Sequence, residues 1–266
     1  MEIVILPDSG AVARFGSAVL ADLVRKTPEA VLGLATGSSP LGIYAELAAL
    51  VAAGDLDCSR ASGFALDEYV GISEDHPQSY AHVLRTEVIE PLRMDPSRVH
   101  LPDGRAADIP AACDAYEAAI RAAGGIDLQI LGLGANGHIG FNEPTSSFAS
   151  RTRIKTLAPR TRADNARFFD SPDEVPTHCL TQGLGTILEA KRILLVAQGE
   201  AKADAVARTV EGPVTALCPG SVLQHHPHVT VVIDEAAASG LQLADYYRHV
   251  FEHKPEWQRI AVPPAS

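Results

Sequence analysis

The residues best suited to chemistry sit in one run, LGLGANGHIGFNEP, from Leu131 to Pro144. It holds His138, with Asn136 before it and Glu143 after it. An imidazole titrates near neutrality, and amide or carboxylate neighbours can orient it, so these three form a candidate acid–base centre. Gly132, Gly134 and Gly137 also spell G-x-G-x-x-G behind the apolar stretch IDLQILGLG. A strand end is where a dinucleotide fingerprint belongs. The rest of that fingerprint fails. Its third glycine should open a helix, yet Gly140 and Pro144 interrupt. The segment that should carry a ribose-binding carboxylate, about 20 positions on, reads RTRIKTLAPRTR. The glycines read better as a loop that bends sharply and lets backbone approach a ligand.

Other candidates also follow apolar runs. ATGSSPLGIY reads as a strand, a glycine turn and a helix, with Ser39 as a helix cap and Pro40 at the first helical position. The start of a helix beside Thr36, Gly37, Ser38 and Ser39 suits a phosphate, although plain capping explains the same residues. It is no P-loop, because the lysine of that motif is absent. FALDEYVG puts Asp67 and Glu68 directly after a buried strand. A partly desolvated carboxylate there is a candidate base, and Asp67 is nearer the strand end. Turn or cap roles are the alternative. SRTRIKTLAPRTRADNARFF is the densest basic region of the chain. Its Arg167 precedes Phe168 and Phe169, and with Lys202 it offers positive charge for a phosphate, the alternative being a solvated surface. Metal binding has little support: there is no H-x-x-x-H or H-E-x-x-H, and QHHPH (Gln224 to His228) reads as a loop before a strand.

These residues need elements to place them. EIVIL, AVLGLA, GFAL, LQILGL, RILLVA and VTVVI are apolar runs of strand length, mostly continuous, as in strands buried on both faces. Helical stretches alternate with them. LGIYAELAALV puts Ile43, Leu47, Leu50 and Val51 on one face, and Gly124 and Gly212 close two others. Alternation of this kind predicts an α/β fold, a mainly parallel sheet with helices on both faces. Ligands then collect at the carboxyl ends of the strands, where TGSSP, DEY, GANGHIGFNEP and QGEAK stand. No linker divides residues 1–266, so a single domain is expected, with a frayed VPPAS tail.

The chain has 266 residues, 46% of them hydrophobic, enough for a substantial core. With 22 Lys plus Arg against 33 Asp plus Glu the net charge is −11, which gives no general attraction for nucleic acid or an anionic membrane. The N-terminal MEIVILPDSGAVARFG does not read as a signal peptide, and no run approaches the ~18 apolar residues of a membrane span. Cys58, Cys113, Cys179 and Cys218 are widely spaced, which suggests reduced structural thiols and a cytoplasmic location.

LDEYVG, HPQSY, GLGANGHIGFNEP, SRTRIKTL and SVLQHHP, in this order, closely resemble the glucosamine-6-phosphate deaminases, over residues from about Thr36 to Glu235. The 6-phosphogluconolactonases share the fold and a G-H loop but not F-N-E-P. The resemblance implies a modified Rossmann-like fold. It implies conversion of glucosamine 6-phosphate and water to fructose 6-phosphate and ammonia, without a cofactor. It makes Asp67 the base that moves a proton between carbons 2 and 1. It makes His138 the ring-opening group, supported by Asn136 and Glu143, and Thr36, Gly37, Ser38, Ser39, Arg167 and Lys202 the phosphate site. Some members carry Asp where this chain has Asn136, so the pH dependence is expected to differ. Some are hexamers activated by N-acetylglucosamine 6-phosphate. Ser146, Arg153 and Lys155 match that effector site, with Tyr246 or Tyr247 as the candidate C-terminal tyrosine. A lactonase of the same fold and a non-catalytic sugar-phosphate sensor are the competing readings.

Overall fold

Each of the continuous apolar runs forms a strand of one parallel sheet. The computed structural model describes residues 1–169 and 171–262; the VPPAS tail from Pro263 onward lies outside them. The strands are β1 (Glu2–Leu6), β2 (Val31–Leu34), β3 (Ser62–Ala65), β4 (Asp67–Tyr69), β5 (Val99–His100), β6 (Leu128–Gly132), β7 (Arg153–Thr156), β8 (His178–Thr181), β9 (Ile193–Ala197) and β10 (Val229–Asp234). Among the described residues, seven of them form a sheet in the order β1-β10-β9-β6-β2-β3-β5, every pair parallel. β2 and β9 are buried along their whole length, which explains their uninterrupted apolar sequence.

Helices α1 (Ser9–Lys26), α2 (Ser38–Ala53), α3 (Tyr80–Leu84), α4 (Ile109–Ala122), α5 (Pro159–Asn165), α6 (Leu184–Leu188), α7 (Ala203–Val210), α8 (Glu235–Ala238) and α9 (Ala244–Glu252) complete the layers. Right-handed crossovers fix their sides. The connections through α1 and α2 step toward β5, whereas those through α4 and α7 step toward β1, so the two pairs cover opposite faces. α1 and α2 pack directly on each other. Past the end of α4, Gly124 takes a left-handed φ of 87°.

The direction of chain progression reverses between β2 and β6. From β2 the chain moves out to β3 and β5; from β6 it moves the other way to β9 and β10. The loops after β2 and β6 therefore diverge and leave a crevice at the carboxyl ends, the usual place for a ligand in such sheets.

One element departs from the sequence-based expectation. β4, β8 and β7 form a second, antiparallel sheet, with Asp67 opposite Thr181 and Lys155 opposite Cys179. The sequences DEY, RIKT and HCLT are short and polar, so periodicity could not mark them as strands. Tyr69, Phe141, Leu157 and Cys179 form a separate small apolar cluster within this part. Among the described residues, no helix is long and apolar enough to cross a membrane. All four cysteines are buried and free.

Candidate active site

The loop after β2 departs from expectation in a useful way. Gly37, at φ 100° and ψ 166°, occupies the N-cap of α2, and neither Ser39 nor any other side chain caps the helix. Only glycine turns the chain so abruptly into a helix without strain. Ser38 and Ser39 consequently lie in the first turn, and Pro40 comes later than the first position. Uncapped amides at the start of a sixteen-residue helix are donors for an anion. Tyr44, unmarked in the sequence, pins the loop. Its buried hydroxyl accepts from Ala35 N–H (3.2 Å) and donates to Ala35 C=O (3.0 Å).

Asp67 and Glu68 part company. Glu68 accepts from the backbone N–H groups of Tyr69, Tyr80 and Ala81, at 2.8, 3.0 and 2.8 Å, and so ties β4 to the start of α3. Asp67 is 7% exposed. Burial, and then the neighbouring Glu68 charge, hold its carboxyl well above the usual carboxylate range. The loop after β6 comes close to it. Thr181, opposite Asp67, accepts from Phe141 N–H (3.1 Å), and a Cβ at Gly140 would press on Thr181 and Leu66.

That loop builds a hydrogen-bonded relay. Asn136 Oδ1 accepts from His138 N–H (3.1 Å) and lies 2.7 Å from His138 Nδ1. Asn136 Nδ2 donates to Glu143 Oε2 (2.8 Å). Because Oδ1 only accepts, Nδ1 carries the proton, and the neutral ring keeps its lone pair on Nε2. The imidazole lies across Gly134, where a Cβ would overlap it. Burial pulls its pKa below the ordinary histidine value, against the opposing pull of the Glu143 carboxylate 3.7 Å away. Nearby Lys202 lowers it further.

A neutral amide orients the ring without adding charge. Asn136→Asp should therefore raise the His138 pKa by about one unit or more, followed by NMR titration of the imidazole. The new carboxylate would also face Glu143, so the same titration in the Asn136→Asp/Glu143→Gln protein separates the two charges. An unmoved or lowered pKa in both would leave Asn136 as a turn residue only.

Lys202 follows β9 and reaches sideways to the loop after β6, donating to Leu133 C=O at 2.6 Å. Burial lowers its pKa, Asp164 opposes this, and Arg167 and Arg160 push the same way as burial. Three cations thus gather beside the crevice, and a bound anion would relieve their repulsion. Arg160 is not singled out by sequence, where it is one arginine among many. Arg167 stacks its guanidinium on Phe168, 4.7 Å from the ring centroid.

Arg153 and Lys155 share a face of β7, as alternate strand residues must. Arg153 Nη1 donates to Arg151 C=O (3.3 Å), while Nη2 is buried without a partner, as is Ser146 Oγ. Ser146 connects to Glu143 through Thr145, whose φ of 75° is unusual for a β-branched residue. The Thr145 N–H donates to Ala216 C=O at 2.7 Å. Tyr246 and Tyr247 are not brought to this cluster. They lie on α9, which packs on β1 at the far edge of the large sheet from β3. Among the described residues, no group of three or more His, Cys, Asp or Glu side chains is placed to hold a metal ion.

Comparison with known proteins agrees with this architecture. A protein of Pseudarthrobacter chlorophenolicus named glucosamine-6-phosphate deaminase is 62% identical over 260 residues, covering 98% of this chain and 100% of that protein. One of Streptomyces coelicolor with the same name is 59% identical over 261 residues, with the same coverage, 98% and 100%. A solved structure described as a monomeric glucosamine-6-phosphate deaminase superposes with a TM-score of 0.89 at 42% identity, over 90% of this chain and 100% of that one. The 6-phosphogluconolactonase of Leishmania guyanensis shares the fold, with a TM-score of 0.70 at 21% identity over 90% of this chain and 98% of its own. The family model for glucosamine-6-phosphate isomerases and 6-phosphogluconolactonases matches residues 9–232, and this chain belongs to that family.

Proposed function

We propose that the protein, acting as one catalytic domain without a cofactor, is a glucosamine-6-phosphate deaminase. It would convert glucosamine 6-phosphate and water to fructose 6-phosphate and ammonia. The observation that carries this reading is the pairing of an oriented imidazole with a separate buried carboxylate. His138, aligned by Asn136 and Glu143, moves the proton that opens the sugar ring. Asp67 then takes the proton from carbon 2 and returns it to carbon 1. As the amine nitrogen gives up a proton and the carbon-1 oxygen takes one to become a hydroxyl, an imine forms at carbon 2; water adds there and ammonia leaves. The phosphate sits on the first turn of α2, with Arg167 and Lys202 supplying charge and Thr36, Gly37, Ser38 and Ser39 shaping the loop.

The lactonase reading gives Asp67 no evident task, because opening a lactone requires no proton transfer between carbons. A sensor would need neither Asp67 nor the relay. Purified protein mixed with glucosamine 6-phosphate should release ammonia and fructose 6-phosphate in equal amounts. Binding of the sugar phosphate without turnover would instead support the sensor.

The cytoplasmic placement draws on the four buried free thiols. The effector reading draws on Ser146 Oγ and Arg153 Nη2, buried polar atoms without partners, with Lys155 on the same strand face. N-acetylglucosamine 6-phosphate should then lower the substrate half-saturation in the parent but not in Lys155→Ala. Identical saturation curves with and without it would reduce the cluster to structure. Light scattering decides the assembly, since the hexameric expectation stands against a structural relative described as monomeric.

A further inference from the structure

Thr161 and Asn165 lie four residues apart on α5, and each grips a different catalytic element. Thr161 Oγ1 makes a short bond to Glu143 Oε1, and Ala158 N–H donates to the same oxygen at 3.3 Å. Asn165 Nδ2 donates to the hydroxyl of Tyr69 at 3.0 Å, and Tyr69 stands two residues beyond Asp67 on β4. The same segment bears Arg160 and Asp164 and leads into Arg167. It therefore touches the relay, the strand of the base and the cations at once.

From this we infer that Thr161 is a positioning residue: its hydroxyl holds the Glu143 carboxylate so that Asn136 and His138 stay aligned only while α5 is seated. Glu143 is 6% exposed, and its two oxygens are divided between two parts of the chain. Oε2 serves Asn136 in the glycine loop, and Oε1 serves α5. The final torsion of a glutamate is broad and roughly two-fold, so the carboxylate plane is set by its partners. Without the Thr161 hydroxyl, Oε1 keeps only the longer bond to Ala158. The plane can then turn, and the donor from Asn136 loses its target. The binding of phosphate by the α5 segment and the alignment of the acid–base centre thereby become one event.

The charges around Glu143 set the sign of the pH effect. His138 faces it at 3.7 Å from the glycine loop, Asn136 and Thr161 are neutral donors, and the Cys179 thiol of β8 lies within its electrostatic reach. Lys202 and Asp164 act on the imidazole. Loss of a donor leaves the Glu143 charge less neutralised, and that charge favours the imidazolium, so His138 takes up its proton at higher pH.

The test compares Thr161→Val, which keeps shape and loses the hydroxyl, with Thr161→Ser, which keeps the hydroxyl. Thr161→Val should lower kcat about 10- to 100-fold, the range for a hydrogen bond to a charged group, with KM changed much less. Its acid limb should move up by about half a unit to one unit, and the imidazole titration should move with it. Thr161→Ser should restore both. Asn165→Ala removes the α5 contact to Tyr69 but keeps the Thr161 hydroxyl on Glu143, so it should move the acid limb less than Thr161→Val does. Thr161→Ala repeats the experiment if the valine variant does not fold. Parent-like kcat and titration in the variant without the hydroxyl overturn the proposal, as does a serine variant that fails like valine. The proposal rests on the deaminase reading. A parent that releases no ammonia defeats that reading, whereas the imidazole titration tests Thr161 with no turnover at all.

Discussion

Asp67→Asn is expected to lower turnover by at least about 10²–10⁴-fold, the contribution of a positioned general base, while substrate binding is largely kept. The amide has the shape of the carboxylate but no basicity. Folding should not suffer. Burial raises the Asp67 pKa in the folded state, so its contribution to stability is full below the unfolded pKa and is lost as pH rises through the folded pKa. Burial penalises the charged carboxylate, and the uncharged amide removes that penalty. Thermal unfolding at pH 7 should show the Asp67→Asn protein at least as stable as the parent, and any loss of rate then belongs to chemistry. Turnover within about threefold of the parent would remove Asp67 from the mechanism. Below the raised pKa the parent itself should lose activity, because its base is protonated.

The second large effect concerns the phosphate. Hydrogen bonds to charged groups contribute about 1.5–3 kcal/mol each, so Arg167→Ala or Lys202→Ala should weaken binding about 10- to 100-fold. The double change should reach about 10²–10³-fold, less than the product, because the two cations already repel each other in the parent. Inorganic phosphate should compete with substrate in the parent and much less in the double variant. Lys202→Ala carries a further signature. Lys202 lowers the His138 pKa, so its removal should let the imidazole titrate at higher pH. If both single variants bind the sugar phosphate as the parent does, the anion lies elsewhere.

The large sheet was legible because its strands are buried on both faces and their sequences are continuously apolar, as in RILLVA. The chemistry was legible because it stands at their ends, in TGSSP and GANGHIGFNEP. The small sheet was not. Its strands are only three or four residues long, too few to show a period, and RIKT reads as surface. Sequence misplaces the helix cap because serine is the commoner cap, whereas here the positive φ of Gly37 decides. Thr161 had no signal at all. It sits among arginines that draw the reading toward charge, and its role arises only when α5 meets Glu143.

The position of β1 bears on how the chain is made. β1, the first of the described strands, has a single ladder partner among them, β10, with Glu2 opposite Thr230. During vectorial synthesis β1 must wait until β10 has emerged, and pairings so distant in sequence are slow to form. The seam that holds the site has the same character, since Leu32 of β2 pairs with Leu128 of β6. β2 and β3 can pair early, but the phosphate loop meets the glycine loop only after β6 arrives, and the edge is sealed later still by β10. Nascent chains cut short before Val229 therefore keep an apolar strand without its neighbour, a ready target for chaperones or proteases.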